Sequence, residues 1–263
     1  MMRHTDIRSW NIVSSDQPGM HEVIVPGIQD CSHAHMRRLN LSAGEKFELY
    51  TLKEEVNAVQ IKGNASVTMA GETYLLGRLD SFYAPGKECV VIEAQTDCVY
   101  YLAMAKCLGE GKCFVRTFDF DQPLGDIHTR AGEGSATRDV FFTVGPNDAA
   151  SHLLCGLTFG GNGGWTSWPP HQHEKDLEEV YAYFDLDAPM YGLHISYLDA
   201  GQPDAMAAHV VHSGHMVLAS AGYHPTVAAP GARMSYFWAL FAYSHAQRRY
   251  DIAVSDPHYL PNA

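Results

Sequence analysis

Apolar and polar residues alternate along most of this chain in short stretches that end at Gly, Pro, Asn or Asp. A period of two is typical of β-strands with one buried face, whereas helical periodicity is scarce here. The first half predicts eight strands, at Met36–Leu41, Lys46–Leu52, Asn57–Ile61, Ala65–Met69, Glu72–Leu76, Ser81–Ala84, Glu88–Ala94 and Cys98–Lys106. Turn residues between them, such as Ala70-Gly71 and Pro85-Gly86, support this division.

The second half repeats the layout. It predicts nine strands, at Asp139–Thr143, His152–Thr158, Trp165–Trp168, Glu178–Phe184, Leu193–Tyr197, Ala207–His212, Met216–Ala219, Thr226–Ala229 and Met234–His245. Residues 116–138 between the halves are rich in glycine and charge, and we interpret them as a linker. The pattern thus predicts an all-β protein with a duplicated barrel: residues 1–115, a linker over 116–138, and residues 139–263.

Composition narrows the class of protein. Of the 263 residues, 46% are hydrophobic and 18% are charged, which excludes a disordered chain. The low charged fraction favours apolar surface and therefore a homo-oligomer. The net charge is −12, and the densest basic spots are the pairs Arg37-Arg38 and Arg248-Arg249. We therefore expect no nucleic-acid partner, since such proteins present a basic face to phosphates.

Location is predicted from two further features. No apolar run reaches the roughly 18 residues of a membrane span, and the first residues lack an apolar signal core. The six cysteines form no C-x-x-C pair, so reduced, packed thiols are expected. We therefore expect a cytoplasmic protein without a membrane partner.

One stretch carries candidate metal chemistry. His171 and His173 are two residues apart, so on an extended chain both point to the same face, and carboxylates follow within a few residues. His224 lies in a Gly-Tyr-His-Pro turn after the apolar strand Met216–Ala219. An isolated His-x-His is more often hydrogen-bonded or surface-exposed. Together with a carboxylate and a distal histidine, it can hold one divalent ion and leave positions open for substrate.

These motifs resemble a known family. W-T-S-W-P-P-H-Q-H-E, L-E-E-V-Y-A-Y-F and G-H-M-V-L-A-S-A-G-Y-H-P are similar to the 5-deoxyglucuronate isomerases of myo-inositol catabolism, and also to the 4-deoxy-5-ketouronate isomerases of pectin breakdown. The resemblance is strong over Gly164–Pro225 and faint before Leu41. It implies a bicupin, with two double-stranded β-helix (jelly-roll) barrels. It also implies a metal-dependent aldose–ketose isomerase that converts a small sugar acid, 5-deoxyglucuronate, to 5-dehydro-2-deoxygluconate.

The resemblance also implies a ligand set of His171, His173, a glutamate and His224 around one divalent ion. Zinc is the first expectation for that ion, with manganese, iron or nickel as alternatives. The cupin pattern leaves three or four residues between the second histidine and the glutamate, which favours Glu178 over Glu179. Strand alternation agrees, because Glu178 shares with Val180, Ala182 and Phe184 an apolar face that suits a barrel interior.

The sequence departs from the family in two places. His215 stands where the family often has Asp, and Ser220 where it often has Pro, which bears on the substrate rather than on the metal. In the first half, the residues around Tyr50–Leu52 are not ligands. We therefore expect a degenerate, metal-free first barrel, in which His33 and His35 form no ligand pair.

Substrate residues are less well defined. Arg249 could bind a substrate carboxylate bidentately, with a solvated turn as the alternative. Tyr236 could lie near the site, with core packing as the alternative. The base that moves the proton is open between a tyrosine, a second carboxylate and a metal-bound hydroxide. A cupin dioxygenase or lyase using ferrous iron, and a non-catalytic sugar-binding cupin, are the alternative functions.

Overall fold

The computed structural model describes residues 6–259. Regular structure in this part of the chain is almost entirely β, with five 3-10 helices of three residues each. These short helices are Ile7–Ser9, Gly134–Ala136, Pro203–Ala205, His245–Gln247 and Pro257–Tyr259. The predicted all-β class is confirmed. No helix in residues 6–259 has the length and apolarity needed to cross a membrane.

The first barrel follows an N-terminal strand, β1 (Asn11–Val13). Its ten strands are β2 (Gly19–Ile24), β3 (His35–Leu41), β4 (Lys46–Tyr50), β5 (Glu54–Lys62), β6 (Ala65–Met69), β7 (Glu72–Leu76), β8 (Ser81–Ala84), β9 (Cys89–Ala94), β10 (Cys98–Lys106) and β11 (Phe114–Arg116). They form a six-stranded sheet, β11-β8-β5-β10-β3-β2, and a four-stranded sheet, β4-β9-β6-β7. Buried aliphatic side chains, including Leu39, Val67 and Leu102, fill the space between the two sheets.

The second barrel has twelve strands of its own. They are β12 (His128–Ala131), β13 (Arg138–Val144), β14 (Leu153–Asn162), β15 (Trp165–Thr166), β16 (His171–Gln172), β17 (Leu177–Tyr183), β18 (Gly192–Ser196), β19 (Ala207–Val211), β20 (His215–Ala219), β21 (Thr226–Ala228), β22 (Arg233–Ala242) and β23 (Val254–Ser255). Its larger sheet runs β1-β20-β17-β22-β14-β13-β12, and its smaller sheet runs β15-β21-β18-β19. β16 and β23 form a two-stranded ribbon beside them.

The two barrels pack against each other through their larger sheets. Strands β5 and β10 of the first barrel contact β13, β14 and β22 of the second. In β10, Leu102 points into the first barrel, while its neighbours Tyr101 and Ala103 belong to a core shared with the second barrel. Tyr101 also donates a hydrogen bond to the carbonyl of Tyr183, at 3.0 Å. The central strands are therefore buried on both faces, which explains their long apolar runs.

Every predicted strand is present, with ends shifted by a few residues. The sequence prediction omits β1, β2, β11, β12, β16 and β23, which are mostly short pieces at sheet edges. Two of them change the expected division of the chain. β1 pairs with β20 of the second barrel, and β12, inside the predicted linker, pairs with β13. Residues 11–13 and 128–131 thus belong to the second barrel's larger sheet.

Candidate metal centre

Four side chains converge inside the second barrel: His171, His173, Glu179 and His224. Their ligand atoms all lie within 4.8 Å of one another. His171 lies on β16, Glu179 on β17, and His224 in the turn between β20 and β21. His171 is partly buried and the other three are buried. We call these four residues the His–Glu cluster.

The three histidines of the cluster are oriented by the backbone. In each ring Nδ1 lies within hydrogen-bond distance of a carbonyl oxygen; the acceptors are Pro169 for His171 (3.0 Å), Leu177 for His173 (3.2 Å) and Gly222 for His224 (3.1 Å). A carbonyl oxygen only accepts, so each Nδ1 must carry the proton. This leaves Nε2 of each ring as the nitrogen that would bind an ion, as in metal-binding histidines whose Nδ1–H is held by a carbonyl.

Glu179 supplies the negative charge of the cluster. Its Oε2 lies 2.9 Å from Nε2 of His173 and 3.1 Å from Nε2 of His224. Burial alone would raise the pKa of this carboxyl, but its contacts with the two histidines hold the pKa well below its usual range. Glu179 is therefore a carboxylate at neutral pH.

The protonation state of the cluster suits a divalent cation. Burial, together with the neighbouring His224 and His173, lowers the pKa of His171 to about 3, so this imidazole is neutral. Nε2 of His224 is buried and lacks a hydrogen-bond partner of good geometry among the described residues. Three imidazoles and one carboxylate are common ligands of zinc, manganese, iron and nickel. The residues present therefore fit such an ion, which would occupy the buried space between the Nε2 atoms and the carboxylate.

Glu178 is not part of the cluster, and its prediction as the fourth ligand is corrected to Glu179. The Glu178 side chain lies on the opposite face of β17, where it accepts hydrogen bonds from the first barrel. Its donors are the backbone N–H groups of Ser32, His33 and Ala34, each at 2.8 Å, and the Ser32 hydroxyl at 2.9 Å. Glu178 therefore joins the two barrels.

The prediction of Glu178 failed because both faces of β17 are buried. The apolar face of this strand, with Val180 and Ala182, belongs to the core that includes residues of both barrels. The face with Tyr181 and Tyr183 turns toward the polar interior of the second barrel, where both phenols meet histidines or the carboxylate. The alternation was correctly predicted, but the apolar face does not line the cavity.

Three residues of the His–Glu cluster, His171, His173 and Glu179, line a cavity of about 270 Å³. Both residues predicted to bind substrate, Tyr236 and Arg249, line this cavity. Tyr236 is also packed edge-to-face on Tyr181, so it serves the core as well. Arg249 is largely exposed and is paired with Asp251.

The residues of the cavity wall that the sequence prediction did not identify include Arg138, Tyr181 and Tyr250. The Tyr181 hydroxyl donates to Oε2 of Glu179 at 3.1 Å and lies 3.2 Å from the Ser167 hydroxyl, which can donate to it. Its position two residues after Glu179 on one strand is the signal that could have identified it. Burial and the charge of Glu179 raise the pKa of Tyr181 well above its ordinary value, so this phenol stays a hydrogen-bond donor.

The first-barrel histidines lie outside the cluster. The ring of His33 contacts that of Tyr243, with centroids 4.8 Å apart. His35 lies between two carboxylates, 2.7 Å from Glu22 and 3.0 Å from Glu54. Both histidines therefore have partners within the protein and lie apart from the His–Glu cluster.

Two β-barrels, one with a buried cluster of three histidines and a glutamate, define a bicupin with a candidate metal centre. The chain belongs to the KduI/IolB family, whose model matches residues 11–259. It is similar to the 5-deoxy-glucuronate isomerase of Geobacillus kaustophilus (strain HTA426), with 29% identity over 208 residues that cover 73% of each chain. The resemblance stated from the motifs is thereby confirmed, as is the class of enzyme, an isomerase.

Solved structures agree on the fold. An IolB-like protein from Salmonella typhimurium LT2 superposes with a TM-score of 0.81 at 22% identity, covering 95% of this chain and 98% of that one. A cupin 2 conserved barrel domain protein from Leptotrichia buccalis gives a TM-score of 0.52 at 11% identity, covering 92% of this chain and all of that one. The predicted bicupin architecture is thereby confirmed.

Proposed function

We propose that this protein is a metal-dependent isomerase that converts 5-deoxyglucuronate to 5-dehydro-2-deoxygluconate in myo-inositol catabolism. The observation that carries the proposal is the convergence of three oriented imidazoles and one carboxylate on a cavity of small-molecule size. The similarity to a 5-deoxy-glucuronate isomerase supports the choice of substrate. One divalent ion, with zinc as the first choice, would be held by His171, His173, Glu179 and His224.

An aldose–ketose conversion moves one proton between adjacent carbons and another between their oxygens. A divalent ion bound here would act as a Lewis acid that stabilises negative charge on the substrate oxygens. The chain itself orients the ligands through backbone carbonyls and surrounds the substrate with side chains that donate hydrogen bonds. Among the described residues that line the cavity, Glu179 is the one carboxylate. We therefore do not assign the base to a second carboxylate.

The proposal also covers the location and the oligomeric state of the enzyme. We propose that it is a cytoplasmic homo-oligomer. All six cysteines are free, three of them buried, which suits a reducing compartment. The charged fraction of 18% supports burial of further surface between subunits.

The test combines metal analysis with a direct assay. Purified protein loaded with zinc, manganese, iron or nickel is incubated with 5-deoxyglucuronate, and carbonyl migration is followed by NMR. We expect conversion that requires His224 and is abolished together with bound metal in His224→Ala, while the variant stays folded. A metal-loaded protein that consumes oxygen or cleaves the substrate would instead indicate the dioxygenase or lyase. Binding without turnover would indicate a sugar-binding cupin.

A further inference from the structure

The substrate class of the proposed function carries a carboxylate, and the cavity must compensate that charge. Two cationic side chains, Arg138 and Arg249, line the cavity together with His171, His173 and Glu179 of the His–Glu cluster. Burying the substrate carboxylate without a partner that hydrogen-bonds to it would be strongly unfavourable. One of the two guanidinium groups is therefore the natural partner of the substrate.

Arg249 is already occupied. Its Nε lies 3.0 Å from Oδ1 of Asp251 and its Nη2 lies 2.7 Å from Oδ2, so the fork is satisfied bidentately. The side chain is 60% exposed, at the rim of the cavity. Binding a substrate carboxylate there would require Arg249 to give up an equivalent partner.

Arg138, the first residue of β13, is held in place but has no acidic partner. Its Nη1 donates to the carbonyls of Ala136 and Trp168, both at 3.1 Å. No carboxylate of residues 6–259 forms an ion pair with it. A Cβ at Gly132 would lie 2.8 Å from the same Nη1, so the backbone there leaves just enough room for the guanidinium. The charge is thus fixed in position and uncompensated.

The surroundings of Arg138 direct this charge into the cavity. Burial raises the pKa of Tyr236 and of Tyr250, and the positive charge of Arg138 opposes part of that rise. The Trp168 carbonyl accepts a hydrogen bond from Nη1 of Arg138. The next residue, Pro169, accepts a hydrogen bond from Nδ1 of His171 through its own carbonyl. One short segment therefore sets the spacing between the guanidinium and the His–Glu cluster.

We propose that Arg138 binds the carboxylate of the sugar acid and so selects acids over neutral sugars. This inference rests on the proposed function for the identity of the substrate. Arg138 is a specificity-determining residue in this proposal, because a bidentate guanidinium–carboxylate contact would fix one end of the substrate while its carbonyl end faces the His–Glu cluster.

The test uses the metal-loaded full chain and two probes, D-glucuronate and D-glucose, with binding measured by calorimetry. For Arg138→Gln we expect the Kd for D-glucuronate to rise at least about 10-fold, since hydrogen bonds to charged groups are strong. The Kd for D-glucose and the metal content should stay unchanged. Arg138→Lys keeps a positive charge that can donate to the Trp168 carbonyl but loses the bidentate guanidinium. Its affinity for D-glucuronate should therefore fall by an intermediate amount. Arg130→Gln, which removes an exposed charge on the neighbouring strand, is the matched control.

Kinetics separate this proposal from the proposed function. With 5-deoxyglucuronate, Arg138→Gln should lower kcat/KM mainly through a higher KM. Wild-type binding of D-glucuronate without any turnover of 5-deoxyglucuronate would contradict the function but leave the Arg138 test intact. Unchanged D-glucuronate binding in both Arg138 variants, equal losses for both probes, or a loss found in Arg249→Gln instead would overturn the assignment.

Discussion

Glu55 of β5 and Glu178 of β17 occupy reciprocal positions on the two sides of the barrel interface. Glu55, in the first barrel, accepts from three successive backbone N–H groups of the second barrel, those of Ser151 (2.7 Å), His152 (2.6 Å) and Leu153 (2.8 Å). Glu178 accepts in the same way from Ser32, His33 and Ala34 of the first barrel. Each barrel therefore uses one buried carboxylate to satisfy backbone donors of the other.

This reciprocity reveals an internal repeat. The amides come from Ser-His-Ala in one barrel and Ser-His-Leu in the other, and each segment leads into a central strand, β3 or β14. His33 therefore has a structural counterpart in His152, not in the His–Glu cluster. The first-barrel His-x-His thus belongs to the repeated interface.

Removing either carboxylate charge should loosen the interface. We expect Glu178→Gln and Glu55→Gln each to lower the free energy of unfolding by about 2–4 kcal/mol, because hydrogen bonds to a charged acceptor are replaced by weaker ones. Urea denaturation measures the effect. Glu93→Gln, at an exposed position paired with Lys46, should change stability by less than about 0.5 kcal/mol. Wild-type stability in both interface variants would contradict this role.

Glu178 and Glu179 are adjacent, yet their substitution should have opposite consequences. Glu179→Gln should weaken metal binding by more than about 100-fold, since loss of a ligand exceeds the usual effect of outer-shell changes. Glu178→Gln should keep the metal and lose stability. Elemental analysis after dialysis, paired with urea denaturation of the metal-free proteins, distinguishes the two. Retention of metal in Glu179→Gln together with its loss in Glu178→Gln would reverse the assignment.

The sequence sufficed for the strands because their apolar alternation is local. It sufficed for the positions of His171, His173 and His224, which the structure brings together as expected. It could not decide which face of β17 lines the cavity. That choice depends on a second barrel covering the apolar face, a tertiary contact without a local signal.

The sequence did not predict a role for Arg138, for a related reason. It stands at the end of a segment interpreted as a linker, and its role depends on the carbonyls of Ala136 and Trp168, the latter 30 residues away. Arg249 was more conspicuous in sequence because it follows the long closing strand. The structure shows that Arg249 forms an ion pair with Asp251. No local sequence pattern distinguishes an arginine that is already paired from one that can bind a substrate. The homo-oligomer, the cytoplasmic location and the identity of the metal stay predictions.

The carboxylates around His35 should make part of the stability depend on pH. Burial alone would lower the pKa of His35, but hydrogen bonds with Glu54 and Glu22 raise it above 6.5. A raised folded-state pKa means that the native state binds the proton more tightly. The contribution is therefore full below pH 6.5 and is lost as the pH rises through the folded-state value.

His35→Gln should accordingly cost more stability at about pH 6 than at about pH 8.5, because the wild-type imidazole loses its proton as the pH rises. Urea denaturation of both proteins at the two pH values gives the difference. His21→Gln, on the neighbouring β2, is the control, because its partly buried ring contacts the Gln17 carbonyl. A cost that is equal at both pH values would show that His35 contributes by packing alone.

Tyr181 should matter to the metal although it is not a ligand. Its hydroxyl donates to the same Glu179 oxygen that contacts His173 and His224, and a second contact with Ser167 fixes its direction. Because the raised pKa keeps the phenol protonated, it holds the carboxylate in one rotamer at all physiological pH values. Tyr181→Phe should therefore lower metal affinity or turnover by about 10- to 100-fold without losing the fold. Competition with a metal-binding dye measures the affinity.

Tyr100→Phe, which removes a similarly buried hydroxyl bonded to Gln60 in the first barrel, should leave metal affinity unchanged. If the two variants lose affinity equally, the effect belongs to general destabilisation and not to the orientation of Glu179.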